Sequence, residues 1–113
     1  TFSRDMQAAN GDAVITGVGF KPSHVIFLAG KNTDYHWSAG FDDGSIKYSI
    51  ANAASATVVI YADSSFSIKL MESSSVHQKG LISAIGSDGF TITWTRTGSP
   101  AAGGAVVYAL CLR

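Results

Sequence analysis

The sequence predicts an all-β protein, a single-domain antiparallel β-sandwich of jelly-roll-like or Ig-like form with about eight strands. Three observations support this prediction: alternation of apolar and polar residues, runs that are apolar at every position, and dense turn residues between them. In segment 90–95 three apolar residues alternate with threonines, a pattern typical of a strand with one buried face. Segments 46–50 and 66–70 alternate in the same way. A period of two therefore dominates the chain.

Other segments are apolar on both faces of the predicted strand. They are residues 25–28, 58–61 and 105–112. In an all-β protein such a run lies at the centre of a sheet or presents one face to a partner chain. Shorter strands are expected at 13–18 and 81–85.

Turn residues separate these strands. Gly19 allows a bend after the second strand, and Pro22 fixes the turn that leads into segment 25–28. Gly44 and Gly89 each follow an aspartate, and Asp-Gly favours tight turns because Gly adopts positive φ. We therefore assign structural turn roles to four residues, Gly19, Pro22, Gly44 and Gly89.

The chain has 113 residues, the size of one ordinary domain. We treat residues 1–113 as a single β-sandwich domain with 1–11 as a candidate N-terminal arm. The first residue is not Met, which indicates either removal of the initiator or a missing preceding segment. The serine-rich segment 73–75 together with Gln78 is interpreted as a mobile loop within the domain.

The charge balance excludes several classes of partner. Eight Lys and Arg residues balance eight Asp and Glu residues, so the net charge is +0. Binding to nucleic acid through bulk charge needs a basic patch, as does binding to an anionic membrane surface, so we expect neither partner. The chain contains no run of about 18 apolar residues, which is the length that predicts a membrane-spanning helix. Charged residues make up only 14% of the chain and apolar residues 46%, which predicts that other protein chains cover part of the exterior.

The sequence offers no pattern typical of a catalytic or metal site. His24, His36 and His77 are scattered without metal-ligand spacing. The acidic segment 42–44 fits a turn better than a calcium loop, which needs oxygen ligands at set offsets. Cys111 is the only cysteine, so no internal disulfide forms, and its apolar strand predicts an inert thiol. We therefore predict no catalytic residue, no metal and no cofactor.

The strongest candidate for ligand or partner contact lies in segment 35–43. Aromatic rings beside carboxylates suit a sugar, because a ring stacks on the pyranose face and the carboxylates accept hydrogen bonds from hydroxyls. The alternative, which we favour, is that Trp37 and Phe41 pack under the sheet or against a neighbouring subunit. The candidate contact residues are Tyr35, His36, Trp37, Asp42 and Asp43.

Two segments together resemble a known group of proteins. Residues 17–28 form the run G-x-G-F-x-P-x-x-V-I-F, and residues 88–95 form D-G-F-T-I-T-W-T, followed by the apolar segment 106–110. This order resembles small all-β virion proteins of tailed bacteriophages and prophages, which serve as capsid decoration modules or as fibre and tail-tip domains. The resemblance spans residues 12–112 and implies no catalytic residues.

The resemblance and the composition together imply a non-enzymatic structural protein located in the virion and assembled in the host cytoplasm. The first expectation is a capsid decoration or cement protein that binds and stabilises the assembled head through homo-oligomeric contacts, with a trimer as the expected oligomer. Its partners would be copies of itself and the major capsid protein or other virion proteins. The alternative is a receptor- or carbohydrate-binding domain of a tail fibre or tail tip, whose partner would be a cell-surface glycan. A hydrolase is the third and least favoured reading, because it needs a titratable cluster in a cleft.

Overall fold

The computed structural model describes residues 1–31, 36–53 and 59–113. Within these ranges ten strands form two antiparallel sheets, and no described residue is helical. The predicted all-β sandwich is therefore confirmed, with ten strands where we expected about eight. The strands are β1 (Phe2–Asp5), β2 (Gly11–Ile15), β3 (His24–Gly30), β4 (Trp37–Asp42), β5 (Lys47–Asn52), β6 (Ile60–Asp63), β7 (Ile68–Ser73), β8 (Val76–Gly86), β9 (Gly89–Thr97) and β10 (Gly104–Leu112).

The ends of the chain pair with each other in both sheets. The six-stranded sheet has the order β1-β10-β3-β4-β5-β6, and the four-stranded sheet has the order β2-β9-β8-β7. The first strand thus pairs with the last, and the second strand pairs with the ninth. Residues 1–11, our candidate arm, contribute β1 to the larger sheet, and Met6 is fully buried in the core.

The main core lies between the two sheets. In β9, Phe90, Ile92 and Trp94 point into it, while the intervening threonines face away. This is the half-buried strand that the alternation predicts. From the larger sheet, Val25 and Phe27 of β3 meet them, and the rings of Phe27 and Phe90 make an edge contact with centroids 5.7 Å apart.

The edge strand β7 is buried on both faces, although the alternation in segment 66–70 predicts one exposed face. The larger sheet curls over β7, so that Lys69 is only 3% exposed and Met71 only 2%. A parallel bridge between Ala53 and Met71 ties the two sheets at this point. The approach is close because Gly40 has no side chain: a Cβ there would lie 1.8 Å from the carbonyl oxygen of Ser67. Gly40 therefore sets how closely β7 sits beneath β4.

Strand β5 alternates as predicted, but it exposes its large apolar side chains and buries its small ones. Tyr48 and Ile50 point away from the protein and are 58% and 46% exposed, whereas Ser49 and Ala51 point inward and are buried. The reason is the proximity of β7, which leaves room only for small side chains beneath β5. The Ser49 hydroxyl donates a hydrogen bond to the carbonyl of Phe66 at 2.7 Å.

Three of the four predicted turn residues, Gly19, Pro22 and Gly44, lie between strands, and Gly89 is the first residue of β9. Gly19 and Gly44 have φ of +81° and +85°, values that favour glycine. Gly89 follows the turn at 87–88, has φ +152°, and a Cβ there would lie 1.9 Å from the carbonyl oxygen of Ile15. Pro22 is buried just before β3. These positions shape the ends of β2, β3, β4 and β9.

The interpretation of segment 73–78 as a mobile loop was wrong for Gln78. Only residues 74–75 form the turn between β7 and β8, and Gln78 lies inside β8 with no exposed surface. Its side-chain oxygen accepts hydrogen bonds from the Arg4 guanidinium, and its amide nitrogen donates to the carbonyls of Met6 and Ala8 at 3.0 and 2.8 Å. The buried amide of Gln78 therefore binds the N-terminal segment to β8.

Candidate functional site

The largest exposed apolar surface is the outer face of the six-stranded sheet, the side that points away from the four-stranded sheet. It consists of the outward residues of β10, β3, β4, β5 and β6, and we call it the outer face. Ten of its large side chains are between 38% and 66% exposed: Ile26, Leu28, Trp37, Tyr48, Ile50, Ile60, Val106, Tyr108, Leu110 and Leu112. The outer face also contains Ala39, Phe41 and Ala62.

Strand register aligns these residues in rows across the sheet. The central row runs from Tyr108 through Leu28, Ala39 and Ile50 to Ala62, because these residues are direct partners on neighbouring strands. The next row is equally apolar. It contains Leu110, Ile26, Phe41 and Tyr48.

The outer face has relief. Leu28 and Tyr108 are direct partners on β3 and β10 and are both more than half exposed, and we call this pair the ridge. A second depression of ≈ 460 Å³ lies beside them, lined also by Gly30 and Val106. On the far side of Ala39, a depression of ≈ 570 Å³ is lined by Phe41, Tyr48 and Ala62 among others, and we call it the β5–β6 depression. The contrast arises because small residues lie in the same rows as large ones.

The outer face carries no charge. Within the described strands, none of its outward positions holds Lys, Arg, Asp or Glu. The opposite exterior, on the four-stranded sheet, differs: Asp12, Lys79 and Thr95 point outward there. The two exteriors are therefore chemically distinct: on the six-stranded sheet the only outward Asp, Glu, Lys or Arg in a described strand is Asp5 of the edge strand β1, beyond the outer face. The runs apolar on both faces at 25–28 and 105–112 were the sequence signal for this surface.

The predicted contact residues of segment 35–43 do not converge. Tyr35 lies outside the described residues. Trp37 begins β4 and Asp42 ends it, so an extended strand places them about 17 Å apart. His36 is only 2% exposed, whereas the Trp37 ring is 44% exposed on the outer face. The proximity in sequence that suggested a sugar site is therefore lost in a strand.

The carboxylates of Asp42 and Asp43 accept hydrogen bonds from backbone N–H groups. Asp42 is completely buried, and its two oxygens accept hydrogen bonds from the backbone N–H groups of Gly44 and Ile82 at 2.8 and 2.9 Å. Asp43 accepts from the backbone N–H groups of Ile46 and Ser45, and these bonds lower the pKa of its carboxyl below the ordinary value. Both side chains shape the turn between β4 and β5.

A cluster of ionisable groups lies where β6 meets β7 and β8. The Asp63 carboxylate is 3.3 Å from the ammonium of Lys69 and 3.6 Å from that of Lys79. Burial raises the pKa of Asp63, but the Ser65 N–H and Lys69 outweigh it, so the pKa lies below its ordinary value. The Lys69 ammonium also sits over the Tyr61 ring, 5.5 Å from its centroid. The arrangement pairs the buried Lys69 with a carboxylate and ties β6 to β7.

Cys111 is half-buried on the inner side of β10, and burial raises the pKa of its thiol. Across residues 1–31, 36–53 and 59–113, no group of three His, Cys, Asp or Glu side chains is placed to hold a metal ion. The described part of the chain contains no helix that is long and apolar enough to cross a membrane. No protein-family model matches the chain, and neither curated proteins nor solved structures show a significant match to it.

Proposed function

We propose that this chain is a non-enzymatic structural protein of a bacteriophage particle, which decorates the assembled head as a homo-oligomer, with a trimer expected. The observation that carries the proposal is the outer face, a broad uncharged apolar surface on a compactly folded chain. Soluble monomers rarely expose apolar patches larger than about 300–600 Å², and such patches mark contact with other molecules. The phage setting rests on the sequence resemblance of segments 17–28 and 88–95.

A protein of this kind works by mass action. If it binds the assembled lattice and not the free subunits, it stabilises the lattice by about RT ln(1 + [L]/Kd). A homo-oligomer gains further affinity, because once one copy is bound the others meet their sites at high effective concentration. Neither effect requires a reactive side chain. The buried Asp42 carboxylate and Lys69 ammonium fit this mode, because both are engaged in structural contacts.

The experiment that tests the proposal is the copy number of the chain in purified phage particles, measured by mass spectrometry with isotope-labelled peptides. A decoration protein is expected at hundreds of copies, because the capsid lattice repeats its binding site that often. A handful of copies per particle would instead indicate a fibre or tail tip. Absence of the chain from particles would refute the virion assignment.

The second candidate function is carbohydrate or receptor binding by a tail fibre or tail tip. The exposed ring of Trp37 favours it, because an accessible indole can stack on a sugar. A glycan array probed with the wild type and with Trp37→Ala tests it. Because the ring is 44% exposed, the variant is expected to fold, so selective loss of a glycan signal would support this function. An array without signals for the wild type would count against it.

A further inference from the structure

We propose that the outer face is the contact between copies of this chain, with the ridge of one copy packed into the β5–β6 depression of another. This inference deepens the proposed function, since it names the surface that would form the homo-oligomer. It rests on the area, the neutrality and the relief of the outer face.

The area is sufficient for a stable complex. The ten exposed large side chains of the outer face are about half-exposed, and at roughly 100 Å² each they present about 1,000 Å². A standard protein interface takes about 800 Å² from each partner. The total accessible surface is 5793 Å², close to the roughly 5,900 Å² of an ordinary monomer of 11.8 kDa. The fold is therefore compact, and the apolar area belongs to a surface and not to an open core.

The neutrality suits a second copy in particular. A surface that meets itself brings like charges together wherever it carries charge, and such pairs are costly. The described strands place no charged side chain on the outer face, so two copies can approach without that cost. The aromatic side chains of Trp37, Tyr48 and Tyr108 are of the type enriched at interface cores.

The relief is complementary between copies. Ala39 lies at the middle of the central row, with the ridge on one side and the β5–β6 depression on the other. A two-fold axis along β4 would lay the ridge of each copy over the depression of its partner. In a three-fold ring, the ridge of one copy would meet the depression of the next. Since β10 and β6 lie equally far from β4 on its two sides, both closed symmetries bring Tyr108 of the ridge close to Ala62 of another copy.

A charge-exchange experiment tests this contact. Tyr108→Lys and Ala62→Glu each place one uncompensated charge in the contact, while the double variant Y108K/A62E places opposite charges together between copies. Within one chain the two positions are four strands apart, about 19 Å, too far for an internal ion pair. Val14→Lys is the matched control, because Val14 is 69% exposed on the opposite sheet. Each variant is first checked for its fold by circular dichroism.

Sedimentation equilibrium of the purified chain then gives the result. We expect a wild-type oligomer, at least about 30-fold weaker association in Tyr108→Lys, a comparable loss in Ala62→Glu, and recovery to within about tenfold of wild type in the double variant. Val14→Lys should associate like the wild type. A monomeric wild type, a loss in Val14→Lys equal to that in Tyr108→Lys, or no recovery in the double variant would overturn the inference.

The two proposals fail separately. If the chain associates as expected but is absent from particles, the contact stands and the virion function falls. If a monomeric chain binds assembled capsids, the function stands and the self-contact falls.

Discussion

The Oδ2 atom of Asp42 accepts a hydrogen bond from the backbone N–H of Ile82 at 2.9 Å, and this bond joins the two sheets through the core. Asp42 ends β4 in the larger sheet, and Ile82 lies in β8 of the smaller one. The pairing of β8 with β9 shifts register just after Ile82, so a β-bulge interrupts the ladder there. The carboxylate satisfies a buried backbone donor beside the bulge, and it thereby fixes the position of one sheet over the other.

Removal of this carboxylate should destabilise the fold. Asp42→Ala leaves the N–H of Ile82 buried without its acceptor, and we expect the free energy of unfolding to fall by about 2–4 kcal/mol. Urea denaturation of the variant measures this loss. Asp43→Ala is the matched control, because Asp43 bonds only backbone groups of an exposed turn, and its loss should be about 1 kcal/mol. Equal losses would show that the link between the sheets contributes nothing.

Gly40→Ala should be strongly destabilising. The added Cβ would lie 1.8 Å from the carbonyl oxygen of Ser67, so β4 and β7 would have to separate. Overpacking of this kind costs about 1–3 kcal/mol or more. Gly86→Ala is the control, since its Cβ would meet nothing nearer than a backbone oxygen at 3.8 Å. Thermal unfolding should show a clear decrease in Tm for the first variant and little change for the second; a reversed order would contradict the close approach of β7.

Gln78→Ala should loosen the N-terminal segment. The substitution removes two hydrogen bonds to the carbonyls of Met6 and Ala8 and the acceptor for Arg4. We expect faster amide hydrogen exchange in residues 1–9, because buried groups left unpaired favour local opening. Gln7→Ala, which alters an exposed glutamine, is the control. Unchanged exchange in residues 1–9 of the Gln78 variant would show that strand pairing alone holds the segment.

His77 should make stability depend on pH in one direction. Burial lowers the pKa of His77 below its ordinary 6.5, and nearby Lys79 and Lys69 lower it further. Below pH 6.5 the unfolded chain then binds more protons than the folded chain. The contribution of His77 to the free energy of unfolding is therefore complete above pH 6.5, and it decreases as the pH falls from 6.5 through the lower pKa of the folded state. Urea denaturation between about pH 8 and pH 5 should show a steeper decrease for the wild type than for His77→Gln. Identical slopes in the two proteins would refute the role of His77.

Several strands could be predicted because burial and periodicity agree in them. In β9, the apolar set Phe90, Ile92 and Trp94 lies in the core, as the alternation indicates. In β3 and β10, the runs apolar on both faces predicted a central position or a face that meets a partner chain; the structure places both strands inside the six-stranded sheet, with one face of each exposed. These predictions succeed because a strand projects successive side chains to opposite sides whatever lies around it.

Other features depended on neighbours that are distant in the chain. Alternation in β5 shows two faces but not which one is buried, and Tyr48 points outward because β7 packs closely beneath the strand. Proximity to Trp37 in sequence suggests that Asp42 contacts a ligand. In the structure Asp42 instead accepts a hydrogen bond from the backbone N–H of Ile82, beside the bulge in β8. Gln78 was assigned to a loop because no local pattern reveals that β1 passes over it.

The sequence by itself determined that this chain forms antiparallel strands, where its turns lie, and that it has too little charge to cover its exterior. These properties follow from the geometry of each strand and turn and from composition, which are local. Only the tertiary structure decided which faces are buried, which carboxylate bridges the sheets, and that the surplus apolar residues collect on one side of the larger sheet. Those outcomes depend on how the two sheets stack and on which strands lie at their edges, and such contacts join residues far apart in the chain.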